Sequence, residues 1–194
     1  MPTKLNQNDR QKLLQIARET IQAVAHQQKL PALDLSQFSE DLQAEGASFV
    51  TLTVDGNLRG CIGTLQAYQP LVIDVQARAM QAASQDPRFP PVRPEELKKI
   101  KIEISRLTQP EPLSYDSPEQ LKSLLRAGID GVVLLDGYKR ATFLPQVWEE
   151  LPDPEQFLGH LCRKMGCSPN LWKHQMLEVE TYQVEEFSES RPPA

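Results

Sequence analysis

Apolar and polar positions alternate along the chain in two distinct periods, and each period predicts its own elements. Leu13, Ile16, Ala17, Thr20, Ile21 and Val24 recur at three- and four-residue spacing, which predicts a helix with one apolar face. Asn8 with Gln11 three residues later resembles a capping box at its start, and Pro31 lies beyond its end. Leu35, Phe38 and Leu42 predict a short second helix stopped by Gly46. Phe49 to Val54 is rich in strand formers, Asp55-Gly56 is a turn signal, and Leu58 to Leu65 returns as the partner strand of a hairpin. Leu71 to Ser84 is helical, with Val72, Val75, Ala79 and Ala82 on its core face. The Asp86-Pro87 step ends it, because the residue before proline is driven from the α region.

Ile100, Ile102 and Ile104 alternate with polar residues in the cleanest half-buried strand of the chain. Ser117 as N-cap and Pro118 in the first turn open another helix, with Gly128 as a stop. A second hairpin runs from Val132 through Asp136-Gly137 to Leu144. Pro154 to Met165 is helical with Gly166 as C-cap. Leu177 to Phe187 reads as one last strand whose apolar phase shifts near Thr181, the mark of a bulge. Hairpins and single strands mix with helices without βαβ alternation. The fold class expected is therefore α+β, a mainly antiparallel sheet flanked by helices. No break in composition forces two separate domains, so residues 1–194 read as a single domain.

Composition narrows the function classes. The 194 residues carry a net charge of −5, which argues against a basic nucleic-acid-binding surface. No apolar run reaches the roughly 18 residues of a membrane span. Met1 to Arg10 is polar and has no apolar core, so no secretory signal is expected. Three cysteines, an odd number, suit reduced thiols in a cytoplasm better than a disulfide framework.

The strongest chemical candidate is Leu58-Arg59-Gly60-Cys61-Ile62-Gly63-Thr64. Side chains alternate along a strand, so Arg59 and Cys61 are expected on one face of an internal strand. Their Cα atoms would be about 7 Å apart, with Ile62 directed to the core. Gly63 would leave space above that face, and Gly60 and Gly63 permit close backbone approach. A guanidinium nearby favours thiolate over thiol, so Cys61 is the candidate nucleophile or acid/base and Arg59 its electrostatic partner. Such a group, with backbone N–H donors, suits a carbonyl or anionic substrate. The competing reading is a small buried cysteine in a strand whose glycines serve geometry. Thr64, Asp86, Arg88 and Gln146 are candidate binding residues. Asp86 and Arg88 sit in the stiff loop Asp86-Pro87-Arg88-Phe89-Pro90-Pro91, where Phe89 is expected to plug the core.

No Gly-x-Ser-x-Gly, P-loop or Gly-x-Gly-x-x-Gly motif occurs, so no cofactor is expected. Cys162 and Cys167 with His160 and His174 invite a metal reading. On a continuous helix, however, Cys162 and Cys167 lie about 140° apart, and Cys162 falls in the apolar stripe Phe157, Leu158, Leu161, Met165. No metal is therefore expected, although Gly166 is placed to break the winding between the two thiols.

The signature run is followed in order by several other segments. They are Asp86-Pro87-Arg88-Phe89-Pro90-Pro91, Ile102-Glu103-Ile104-Ser105-Arg106-Leu107, Gly128-Ile129-Asp130-Gly131, Thr142-Phe143-Leu144-Pro145-Gln146-Val147 and Glu185-Glu186-Phe187. Together they resemble the AMMECR proteins, whose bacterial and archaeal members are called protein A of the AmmeMemoRadiSam system. The similarity covers roughly residues 11 to 189. The resemblance implies an α+β fold with a larger and a smaller lobe, and association with Memo-like and radical SAM proteins. It implies no assigned activity. The expectation is a cytoplasmic protein acting as a small enzyme or accessory subunit of a modification pathway through a pocket around Cys61. The alternative is a non-catalytic module that binds a protein or RNA.

Overall fold

The structure is a computed structural model and describes residues 4–190. The chain forms two compact units. One runs to Leu107 and resumes at Glu185; the other is Thr108–Val184. In the first unit the elements are α1 (Gln7–Ala25), α2 (Glu40–Gln43), β1 (Ala47–Val54), β2 (Asn57–Gly63), α3 (Leu71–Ser84), β3 (Ile100–Leu107) and β8 (Val184–Ser188). Its sheet has the order β2-β1-β3-β8, with β1 antiparallel to both β2 and β3. The period-two pattern determines which face is dry. Val50, Leu52, Ile100, Ile102 and Ile104 are fully buried against Leu13, Ile21, Val72, Val75 and Ala79 of α1 and α3. Burying a side chain of this size stabilises by about 1.5–3 kcal/mol.

The helix α1 begins two residues earlier than its sequence predicts. Asn6, not Asn8, is the cap, and its side chain accepts from Asp9 N at 2.9 Å. The single helix expected over Leu35 to Leu42 is two short turns, Leu35–Gln37 and α2. The first hairpin turns at Asp55 and Gly56, both with positive φ (51° and 80°), as a two-residue turn matched to strand twist requires.

Two buried charged groups of this unit are held by dense hydrogen bonding. Asp74 of α3 is fully buried and accepts from Ser48 N at 2.9 Å and Ser48 Oγ at 2.7 Å, while Arg78 donates to its other oxygen. Arg18 of α1 donates to Leu97 O and Ile100 O and to both oxygens of Glu189. That contact fastens the chain beyond β8 to α1 without leaving a buried charge unpaired.

The second unit holds β4 (Glu111–Pro112), α4 (Pro118–Leu124), β5 (Gly131–Asp136), β6 (Lys139–Phe143), α5 (Val147–Glu150), α6 (Pro154–Lys164), α7 (Leu171–His174) and β7 (Glu178–Tyr182). Its sheet has the order β4-β7-β5-β6. Trp148 stacks on Phe157 with centroids 3.7 Å apart and donates through Nε1 to Asp130 O at 2.8 Å. The class is α+β as expected, but the strands form two four-stranded sheets, not one. The strand expected over Leu177 to Phe187 is broken at Gln183, with β7 in one sheet and β8 in the other. The apolar phase shift near Thr181 marks that change of sheet, not a bulge.

Candidate functional site

The signature segment forms β2, which is the edge strand of its sheet, not an internal one. Its register on β1 places Val50 opposite Ile62, Thr51 opposite Cys61 and Leu52 opposite Gly60, and then slips so that Thr53 faces Leu58. Arg59 is the extra residue of the bulge, and a bulge re-aims the side chain it carries. The guanidinium of Arg59 therefore meets Glu96, with Nε 2.7 Å from Oε1 and Nη2 3.1 Å from Oε2. This paired contact holds the Glu96 carboxyl below the usual carboxylate range. The electrostatic partnership expected between Arg59 and Cys61 is replaced by an Arg59–Glu96 pair that ties β2 to the loop after α3.

Asp86 and Arg88 act on the main chain of Cys61. Being at an edge, Cys61 has N–H and C=O groups that no further strand pairs. Asp86 Oδ2 accepts from Cys61 N at 2.9 Å, and Arg88 Nη2 donates to Cys61 O at 3.2 Å. The two side chains do what a neighbouring strand would do, and they block edge-to-edge pairing. Four donors converge on Asp86: Cys61 N, Arg88 N, Arg88 Nε and Arg88 Nη2. The hydrogen bond from the Arg88 side chain is the largest cause that drives the Asp86 carboxyl far below its ordinary value. Phe89 does not plug the core. Its ring lies under the guanidinium groups of Arg59, at 5.9 Å, and Arg88, at 5.6 Å, while Val92, just after the loop, is the apolar residue that enters the core.

Both signature glycines sit where a side chain does not fit. A Cβ on Gly60 would lie 2.4 Å from the carbonyl oxygen of Ala82 in α3. One on Gly63 would lie 2.2 Å from the Phe49 ring, which covers the space expected to be open above it. Gly131 in the other sheet is covered in the same way by its cross-strand neighbour Tyr182. Thr64 closes a local turn, its Oγ1 accepting from Gln66 N at 3.2 Å. Gln146 belongs to the second unit, exposed and immediately before α5, whereas the other seven candidates belong to the first.

The Cys61 side chain remains half-exposed. Ile62 packs against the core as the alternation predicts, so Cys61 faces away from the helices. Thr51 Oγ1 donates to Cys61 Sγ at 3.2 Å. The register then places Thr51 opposite Glu103 of β3, so Cys61, Thr51 and Glu103 form one row across three strands. Directly opposed side chains in such a row interact. Sequence reasoning missed Thr51 and the place of Glu103 in this row. The period-two polarity of β1 and β3 marks both as facing away from the core, but only the register aligns them with Cys61. Two open grooves of the first unit lie elsewhere. One of about 410 Å³ is lined by residues including Arg10, Leu14 and Phe187, the other of about 340 Å³ by residues including Lys12, Leu33 and Phe38. Among the described residues, no group of three or more His, Cys, Asp or Glu side chains is placed to hold a metal ion, and no helix is long and apolar enough to cross a membrane.

The chain matches the AMMECR1 family model over residues 14–187. A protein of Methanothermobacter thermautotrophicus is 45% identical over 142 residues, covering 73% of this chain and 74% of its own length. One from Methanopyrus kandleri is 34% identical over 200 residues, covering 99% and 94%. Among solved structures, the uncharacterized protein PH0010 from Pyrococcus horikoshii superposes with a TM-score of 0.80 at 32% identity, over 98% of this chain and 96% of that one. With a family match spanning most of the sequence, and a solved relative sharing the fold along its length, the chain belongs to the AMMECR1 family.

Proposed function

We propose that this protein is a small enzyme or accessory subunit of a modification pathway in which the Cys61 thiol is the reacting group. The observation that carries this reading is the row of thiol, hydroxyl and carboxylate formed by Cys61, Thr51 and Glu103. A hydroxyl that donates to sulfur stabilises the thiolate, which is the nucleophilic form. Glu103, next in the row, is the carboxylate that would take up the thiol's proton by relay, the Thr51 hydroxyl accepting from the Cys61 S–H as it passes its own proton on. Asp86 and Arg88 fix the main chain beneath the thiol, so its direction is set before a substrate arrives. The exposed Arg88 guanidinium, not Arg59, supplies positive charge beside it, which suits a carbonyl or anionic group on a small molecule or a macromolecule. Thiol addition of this kind needs no cofactor. A reducing cytoplasm suits it, and Memo-like and radical SAM proteins are the partners that the family resemblance implies.

A second reading, a non-catalytic protein- or RNA-binding module, is favoured by a different observation. Gly60, Gly63, Arg59, Asp86 and Arg88 all have contacts that build the strand edge. Labelling separates the two. With iodoacetamide on native protein at neutral pH, followed in the tryptic peptide Gly60–Arg78, Cys61 is expected to react ahead of the buried Cys162. Thr51→Val and Glu103→Gln should each slow that reaction several-fold with an unchanged circular dichroism spectrum. Labelling of Cys61 only on unfolding, or at the same rate in both variants, would leave the binding module as the reading.

A further inference from the structure

The chain folds back between the two cysteines of the second unit, although a continuous helix would hold them on different faces. Helix α6 ends at Lys164, and Gly166 takes the left-handed conformation with φ 77°. Gly166 N then donates to Arg163 O and Cys167 N to Cys162 O, each at 2.9 Å. These are the two nested bonds of a Schellman ending, which folds the chain back so that the side chains at the ends of the longer bond face one another. Here those side chains are Cys162 and Cys167. Cys162 lies fully buried in the apolar cluster of the unit, and Cys167 packs on that cluster from a half-exposed position. Lys139, from strand β6, donates through Nζ to Cys167 Sγ at 3.4 Å.

We infer that Cys167 and Cys162 form a peroxide-responsive dithiol, with Cys167 the attacking and Cys162 the resolving thiol. The assignment of roles follows from the surroundings. Cys167 is reachable from solvent, and an ammonium that donates to its sulfur favours the thiolate. The same contact holds the Lys139 amine above its ordinary value. Cys162 has the opposite setting: burial pushes its thiol up, partly offset by the Trp172 backbone N–H, so it is the thiol that waits for its partner sulfur to be oxidised.

In the first step the Cys167 thiolate attacks the outer oxygen of a hydroperoxide. The S–O bond forms, the O–O bond breaks, and the departing alkoxide or hydroxide takes a proton from the Lys139 ammonium. This leaves a sulfenic acid on Cys167. In the second step Cys162 attacks that sulfur. The S–S bond forms, the S–O bond breaks, and the hydroxide leaves with the Cys162 proton as water. Two electrons pass from the two sulfurs to the peroxide, and a small thiol restores the pair by exchange. None of this involves Cys61.

Trypsin provides a direct test, because Arg163 and Lys164 separate the two cysteines into the peptides Ala141–Arg163 and Met165–Lys173. The full chain is treated with hydrogen peroxide, alkylated and digested without reductant. The expected product is those two peptides joined by one disulfide and separated by dithiothreitol. Lys139→Met should form it about fivefold more slowly, since the thiolate loses its ammonium donor, with an unchanged melting temperature. Three results would overturn the inference: Cys167 passing to sulfinic acid while Cys162 stays alkylatable, a link to the Gly60–Arg78 peptide instead, or an unchanged rate in Lys139→Met.

Discussion

Replacing Asp86 by asparagine changes one oxygen to an amide nitrogen and nothing else in outline. Four N–H donors face the two oxygens of the native carboxylate, two on each. Whichever way the introduced amide turns, its NH₂ group meets two of those donors. With its oxygen turned to Arg88, the part-buried Cys61 N–H at the strand edge is left without an acceptor, a cost of about 1–3 kcal/mol. Loss of the charge-assisted bonds to Arg88 adds to this, discounted because the Arg88 side chain is 53% exposed. The sum expected is about 2–4 kcal/mol. With a urea m-value of about 2 kcal/mol per molar, the midpoint falls by roughly 1–2 M.

The assay is urea unfolding of Asp86→Asn followed by far-UV circular dichroism, with amide exchange at Cys61 as the local probe. Tryptophan fluorescence is the wrong signal for this change, because Trp148 and Trp172 both belong to the second unit. The wild type should also show a pH signature. Pairing depresses the Asp86 pKa, so the unfolded chain binds the proton first. The stabilisation is complete above the ordinary carboxylate value near 3.9 and is lost as pH falls below it towards the folded value. Asp86→Asn should lack that component. A midpoint within about 0.3 M of wild type, with Cys61 amide protection intact, would refute the edge-capping argument.

Two other substitutions test the strand itself. Gly60→Ala should destabilise by at least about 2 kcal/mol, and more than Gly63→Ala, because its methyl meets a helix carbonyl that cannot move alone, whereas the Phe49 ring can rotate away; equal midpoints on urea unfolding would contradict this. Arg59→Ala should cost about 1–2 kcal/mol, between the exposed and buried limits for an ion pair, and leave the Cys61 alkylation rate unchanged, since the Arg59 guanidinium is held by Glu96; a slower rate in that variant would restore Arg59 as the partner of the thiol.

Much of the fold is legible in the chain because its signals are local. The helix Leu71–Ser84, the strand beginning at Ile100 and the two hairpin turns follow from periodicity and turn chemistry acting over a few residues. The alternation in β2 likewise places Ile62 inward and Cys61 outward. What a local pattern does not carry is which neighbour each strand finds. Nothing in Leu177 to Phe187 distinguishes a bulge from a strand that changes sheet, because both shift the apolar phase by one residue.

Read residue by residue, the chain specifies most of its secondary structure, the α+β class and the thiol at the centre of the signature. Folding chose the partners. Arg59 and Glu96 are 37 residues apart, and Asp86 reaches Cys61 N across 25; these pairs form because one bulge re-aims Arg59 and an edge strand needs an acceptor. Register across three strands set Thr51 beside Cys61 and Glu103 on the far side of Thr51. A single left-handed glycine turned the chain back so that Cys167 N pairs with Cys162 O. Side-chain periodicity is fixed by local backbone geometry and can be read along the chain. Register, strand order and bulges are set by contacts between distant segments, and these determined the neighbours of each reactive group.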